Sequence, residues 1–238
     1  MKSQASLFFH KGDRVLKNTC YIIGAGSFDG FLDQPAQKDL VIAADGGYVY
    51  LEQLGICPDV LLGDFDSLAL VPEHEHLIRH SPIKDDTDMA LAAAYGLEKG
   101  YGRFCMYGGL GGRLDHTLAN LQLLTFLSRQ GAEPYLIGEG VIITAITGER
   151  LCFDASAHGM VSVFCAGEKA EQVWEKGLKY ELNHAVLTCD RALGVSNEFV
   201  GTDCSIETGS GTLLILWNRE NGFPKKREAV TGGGRDGA

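Results

Sequence analysis

YGGLGGRLDHTLAN, residues 107–120, sets four glycines, an arginine, an aspartate and a histidine between a strand-like run and a helix-like one. Ahead of it, residues 103–107 read as a short buried strand. Behind it, Leu114, Leu118, Leu121, Leu124 and Leu127 recur at helical spacing. Glycines let the backbone approach a ligand closely, and a loop that opens a helix offers unpaired N–H groups and partial positive charge to an anion. Gly108, Gly109, Gly111 and Gly112 meet that need, and Arg113 adds a planar fork for phosphate oxygens. Asp115 carries the phosphate's own sign and belongs there only if a cation lies between them. By itself the loop is equally a glycine turn with an Arg–Asp pair, so carboxylates elsewhere must decide.

Working outward, residues 20–23 are an apolar run ending in Gly24-Ala25-Gly26-Ser27, a strand running into a glycine turn. Residues 39–44 form a second strand closed by Asp45-Gly46-Gly47, with a helix-like stretch at 48–54 behind it. A third strand, 59–62, runs directly into Gly63-Asp64-Phe65-Asp66-Ser67. Residues 72–80 are polar, and their histidines 74, 76 and 80 read as a surface loop rather than a metal site. A helix at 89–99, capped by Thr87 or Asp86, precedes the opening strand, and residues 134–137 add another strand. Strands alternating with helices predict an α/β fold with a doubly wound, mostly parallel sheet.

After about residue 138 the segments become short, rich in Val, Thr, Ile and Phe, and separated by Gly, Asn and Asp. Strands at 141–146, 159–165, 178–182, 185–189, 199–200 and 212–217 read as a smaller all-β sandwich. The predicted organisation is a catalytic α/β domain over 1–138 that binds nucleotide and metal, a β-sandwich over 139–228, and a flexible tail over 229–238.

With 238 residues, 45% hydrophobic and 22% charged, the chain has an ordinary globular composition. A formal charge of -10 argues against a nucleic-acid partner. The early apolar run Leu7-Phe8-Phe9 is too short for a signal peptide and no later segment reaches spanning length, so a cytoplasmic protein away from membranes is expected. Seven cysteines without a C-x-x-C pair read as buried thiols in a reducing compartment.

Asp45, Asp64, Asp66, Asp85, Asp86, Asp88 and Asp115 all fall in loops near strand ends or helix starts, where open α/β sheets bind ligands. Crowded like charges cost energy unless a cation neutralises them. Asp64 and Asp66 point the same way if extended, and such hard oxygens suit Mg²⁺ bridged to substrate phosphates. Each piece alone has a plainer reading: GDFDS as a capped turn, KDDTD as a charged helix start, DGG as an ordinary turn.

The ordered set ADGG (44–47), LGDFDS (62–67), KDDTD (84–88), GGLGGRLDH (108–116), GLKYEL (177–182) and VSNEF (195–199) resembles the bacterial-type thiamine pyrophosphokinases. The resemblance implies an α/β domain followed by a β-sandwich domain for thiamine binding and dimerisation, in a homodimer with active sites between subunits. It implies transfer of a pyrophosphoryl group from ATP to thiamine with Mg²⁺, giving thiamine diphosphate and AMP. On that basis Asp64, Asp66, Asp88 and Asp115 are expected to hold Mg²⁺, one of them also taking the alcohol proton. Arg113, the glycine loop and Lys84 would hold the phosphates of ATP. Asp45 and Gly46 would line the thiamine side, with Ser196 and Asn197 contacting thiamine. Trp217, ahead of Tyr180 and Trp174, is the aromatic candidate for the thiamine cation. The first glycine loop and His116 depart from the family pattern, and the tail has no counterpart. Competing readings are another Mg²⁺-dependent phosphohydrolase or nucleotide-dependent transferase, and a non-catalytic thiamine- or nucleotide-binding regulator.

Overall fold

The computed structural model describes residues 18–65, 74–79 and 86–230. The chain divides into two units, Met1–Glu139 and Gly140–Ala238, the first with a parallel sheet and helices, the second of antiparallel strands.

In the first unit the strands are β1 (Thr19–Ile23), β2 (Leu40–Ala44), β3 (Val60–Gly63), β4 (Leu77–Arg79), β5 (Arg103–Tyr107) and β6 (Glu133–Gly138). The helices are α1 (Tyr48–Gln53), α2 (Asp88–Glu98) and α3 (Leu114–Arg129). β1, β2 and β3 are buried at every position, as unbroken apolar runs must be when both sheet faces are covered. The strand order is β6-β5-β1-β2-β3-β4, with every neighbouring pair parallel. Asp39 and Asp59 pin the amino edge: Asp39 accepts from the Thr19 N–H and Asp59 from the Val41 N–H, each at 2.8 Å.

β4 lies inside the stretch expected to be a surface loop. Residues 77–79 instead add the outermost strand, parallel to β3, because an edge strand needs only three residues' worth of ladder and no buried stripe to announce it. His74 donates from Nε2 to the Pro58 carbonyl at 2.8 Å. His80 lies outside the described residues.

The second unit contains β7 (Val141–Thr147), β8 (Glu149–Phe153), β9 (Met160–Cys165), β10 (Lys169–Lys176), β11 (Leu182–Thr188), β12 (Gly194–Glu198), β13 (Cys204–Ser210), β14 (Thr212–Asn218) and β15 (Lys226–Ala229). Within this unit four strands pair in the order β12-β9-β14-β7 and five others in the order β11-β10-β13-β8-β15, all antiparallel. The buried and half-buried positions alternate along β8 and β13, the period that lets one face of each strand enter the core.

Three stretches differ from the sequence reading. Residues 178–181 form a connection before β11 rather than a strand, and the strand expected at 199–200 lies earlier, at β12. β15 follows a polar stretch where no strand was expected, held by a buried ion pair. Arg227 and Glu149, 4% and 5% exposed, meet at 2.7 Å, and the Arg227 guanidinium also donates to Thr144 Oγ1 and the Ala145 carbonyl. The Val230 N–H bonds to the Gly148 carbonyl, so ordered pairing continues past residue 229; residues 231–238 lie outside the described residues.

Candidate active site

The chain steps outward from β1 through β2 and β3 to β4, then returns through α2 to β5 on the other side of β1. Connections therefore leave β1 and β5 in opposite directions, and a crevice opens at their carboxyl ends.

Two glycine loops line it. The Gly24 N–H donates to the Tyr107 carbonyl at 2.8 Å, Gly26 to Gly108 at 2.8 Å and Ser27 to Leu110 at 3.1 Å. These bonds carry the β1–β5 ladder past the strand ends and fix one loop by the other. Gly108 has φ +65°, and a Cβ there would collide with the Gly24 carbonyl, so the approach demands glycine. Asn120 on α3 is buried and donates from Nδ2 to the Gly109 carbonyl at 2.9 Å. Sequence reading missed this anchor, although a lone amide beside Leu123, Leu124 and Leu127 on the helix's inner face was its signal.

The acidic residues arrive from neighbouring strand ends. Asp45 opens a single 3₁₀ turn, Asp45–Gly47, after β2, with φ +49°. Gly63 ends β3 directly against it: a Cβ on Gly63 would stand 3.0 Å from the Asp45 Cα. Asp64 therefore leaves its strand beside Asp45, followed by buried Phe65 at φ +59°. Left-handed backbone at two non-glycine residues of adjoining loops is the kind of strain that collects at functional sites. Thr87 caps α2 by accepting from the Ala90 N–H at 3.2 Å, which sets Asp88 at the helix start.

Gly24, Gly26, Asp45, Asp88, Gly108, Gly109, Gly112 and Arg113 share the wall of one cavity of about 260 Å³, completed by Thr87, Met89, His116 and Asn120. Gly111 stands apart, close to Glu139 and Ser27, and Gly46 lies in the turn after Asp45. Arg113 precedes α3 and grips Asp115 with both arms of its fork, Nη2 to Oδ2 at 2.6 Å and Nε to Oδ1 at 3.1 Å. Both side chains are well exposed, and the guanidinium holds the Asp115 carboxyl below the usual carboxylate range.

Among the described residues, no three His, Cys, Asp or Glu side chains gather closely enough to hold a metal ion. Asp66 and Lys84 lie outside the described residues. The remaining predicted ligands are Asp64 beside Asp45, Asp88 on the cavity wall, and Asp115 paired with Arg113.

The residues expected to meet thiamine lie in the second unit. Ser196 is exposed on β12 at φ +58°, within a register shift between Gly194 and Asn197, and its N–H bonds to Ser162 Oγ at 3.1 Å. A bulge of this kind re-aims a side chain. Asn197 is 3% exposed and fully engaged. Its Oδ1 accepts from the Tyr180 and Glu198 N–H groups, and its Nδ2 donates to Glu175 and the Tyr180 carbonyl. An amide has four such positions, so the Asn197 side chain has none left for a ligand.

Trp217 corrects the aromatic expectation. It is 0% exposed, donates from Nε1 to the Gly222 carbonyl at 3.0 Å and packs edge-on against Phe153, so it is a core residue. Tyr180 is 59% exposed, with Lys179 5.5 Å from its ring centre. Trp174 is half-buried under Lys176.

The family profile described as thiamin pyrophosphokinase, catalytic domain, matches residues 33–136, and that described as thiamin pyrophosphokinase, vitamin B1 binding domain, matches residues 151–213. The chain is 30% identical over 195 residues to the thiamine pyrophosphokinase of Bacillus subtilis, covering 79% of this chain and 89% of that one. It is 25% identical over 172 residues to thiamin pyrophosphokinase 1 of Caenorhabditis elegans, covering 67% and 70%. The crystal structure of the Bacillus subtilis enzyme superposes with a TM-score of 0.73 at 26% identity, covering 84% of this chain and 99% of that one.

Proposed function

This chain belongs to the thiamine pyrophosphokinase family, and we propose on that premise that it transfers a pyrophosphoryl group from ATP to the hydroxyl of thiamine. The products are thiamine diphosphate and AMP. The observation that carries the reading is the cavity at the β1–β5 reversal, where two interlocked glycine loops, Asp45, Asp88 and Arg113 share one wall.

The thiamine hydroxyl oxygen attacks the β-phosphorus of ATP, the bond from that phosphorus to the α-phosphate oxygen breaks, and the hydroxyl proton passes to a carboxylate. The protein's task is alignment and charge compensation. Glycine backbone and the start of α3 receive phosphate oxygens. Arg113 can exchange Asp115 for phosphate at small cost, because an exposed ion pair in water is weak. Lys84 belongs to the same phosphate-binding set.

Asp64 and Asp88 offer hard carboxylate oxygens, with Asp66 and Asp115 as the further members we assign. These carboxylates would hold Mg²⁺, an ion that takes one or two carboxylates together with waters and substrate phosphate oxygens. When bound, the ion neutralises charge on the triphosphate. Asp45 and Gly46 border the thiamine side, and Ser196 contacts thiamine with Tyr180 as the exposed aromatic.

We read the fold as a doubly wound α/β catalytic domain over 1–138 followed by a smaller β-sandwich over 139–228 that binds thiamine and dimerises. The working form is a cytoplasmic homodimer. No described helix is long and apolar enough to cross a membrane.

Incubation with ATP, Mg²⁺ and thiamine, resolved by chromatography, should give AMP and thiamine diphosphate in equal amounts, with no AMP when thiamine is left out. ADP as the nucleotide product, or AMP independent of thiamine, overturns the assignment. Sedimentation tests the dimer.

A further inference from the structure

Glu175 belongs to none of the motifs discussed above, yet it is a fully buried acid in the second unit. It lies on β10, completely buried, where its sheet neighbours are Leu182 on β11 and Ile206 on β13. Its Oε2 accepts from Asn197 Nδ2 at 2.7 Å, and its Oε1 is buried without a hydrogen-bond partner. A leucine would fill such a position at no electrostatic cost, whereas a buried carboxyl with a single bond is expensive. The space is made for it: a Cβ on Gly194 would approach Oε1 to 3.2 Å.

The bond spans the two sheets, because Glu175 is on the five-stranded one and Asn197 on the other. Beyond it, the Asn197 amide holds the Tyr180 backbone by both its N–H and its carbonyl, and holds the Glu198 N–H. Lys179 reinforces the same junction, its N–H on the Glu198 carbonyl and its ammonium on the Glu198 carboxylate at 2.7 Å. The two exposed groups assigned to thiamine, Ser196 and Tyr180, thus flank one buried amide whose orientation a carboxyl fixes.

We propose that Glu175 is a positioning residue for thiamine: by holding Asn197 Nδ2 across the sandwich it fixes the Ser196 bulge and the Tyr180 connection in their binding arrangement. The inference rests on the thiamine-binding reading of this unit. Without Glu175, Asn197 keeps a buried donor with no acceptor, a cost that drives the amide to turn and release Tyr180. Burial pushes the Glu175 carboxyl up to about 7, with the Asn197 bond opposing the rise, so the tie is made by an acid that is substantially protonated near neutrality.

The test is steady-state kinetics on the full chain. Glu175→Leu, which removes the acceptor and keeps the bulk, should raise the KM for thiamine by about tenfold or more, while kcat and the KM for ATP stay within about threefold. Glu175→Gln, whose carbonyl still accepts from Asn197, should restore the thiamine KM to within about threefold of wild type. An unchanged thiamine KM in Glu175→Leu, equal rises for both substrates, or a Gln variant no better than Leu overturns the proposal. If Glu175→Leu does not fold, Glu175→Met removes the acceptor with a flexible chain of similar length; it should give the same thiamine-specific rise, and an unchanged KM overturns the proposal. Amide exchange at Tyr180 and Glu198, measured without substrate, should quicken in Glu175→Leu and not in Glu175→Gln. Should wild type make no thiamine diphosphate, the functional reading fails, and the exchange result alone then decides whether the Glu175 tie exists.

Discussion

The first unit's crevice and the second unit's Ser196 junction are both irregular backbone held in place, but by different means. In the crevice, main chain chiefly holds main chain: Gly24, Gly26 and Ser27 bond to Tyr107, Gly108 and Leu110, with Asn120 as the side-chain anchor on Gly109. At the junction, side chains hold main chain: Asn197 ties Tyr180 and Glu198, and Glu175 ties Asn197. The difference predicts how each region fails. Neutralising a carboxylate of the crevice should leave the loops in place, whereas removing a link of the junction's hydrogen-bond chain should move backbone.

The largest effect should come from the crevice. Asp64→Asn should lower kcat by about a thousandfold, roughly 4 kcal/mol of barrier, while the melting temperature stays within about 2 °C. A kcat near wild type at saturating Mg²⁺ would remove Asp64 from the metal set. A melting temperature lowered well beyond that margin would show that its carboxylate, like those of Asp39 and Asp59, holds the fold.

At the junction the leading effect should be on stability. The folded pKa of Glu175 lies above the unfolded one, about 7 against 4.5, so its contribution is full below pH 4.5 and lost as pH rises through 7. The flanking Leu182, Ile206, Gly194 and Asn197 bring no charge to offset this. Denaturant titrations of wild type and Glu175→Gln should diverge by about 3 kcal/mol across that window, the variant losing the slope. Parallel curves would mean that the carboxyl is not insulated as its burial requires.

Trp217→Phe should cost about 2 kcal/mol of stability, from lost volume and the abandoned Gly222 carbonyl, with the thiamine KM unchanged. A thiamine-specific KM effect without destabilisation would return Trp217 to the pocket. The smallest effect is expected of Arg113→Lys, where a point charge replaces the fork. The KM for ATP should rise by about tenfold at unchanged stability, measured by initial rates.

The sequence carried the crevice well because its parts are local signals. A buried strand followed by glycines and aspartates marks where main chain turns at a sheet edge, and β1, β2, β3 and β5 each end in such a signal. The junction was opaque for the opposite reason. Nothing local separates Glu175 from the other charged residues of KAEQVWEK, since its burial depends on which face of β10 turns inward after the irregularity at Gln172. Trp217 and Asn197 were found as notable residues but given outward roles, because residue type does not reveal that Gly222 and Tyr180 consume their polar atoms. β4 and β15 escaped notice because edge strands of three and four residues carry no stripe.

The Arg227–Glu149 clasp has a practical consequence for handling the protein. Arg227 arrives late in the chain, and the carboxylate it neutralises is almost wholly interior. Trimming the carboxyl end back through residue 227 would break up β15 and take the Arg227 ion pair from the interior Glu149, whereas a fusion placed after Val230 leaves the clasp closed. An affinity handle therefore belongs beyond that point, and a shorter version of the gene is expected to yield aggregates.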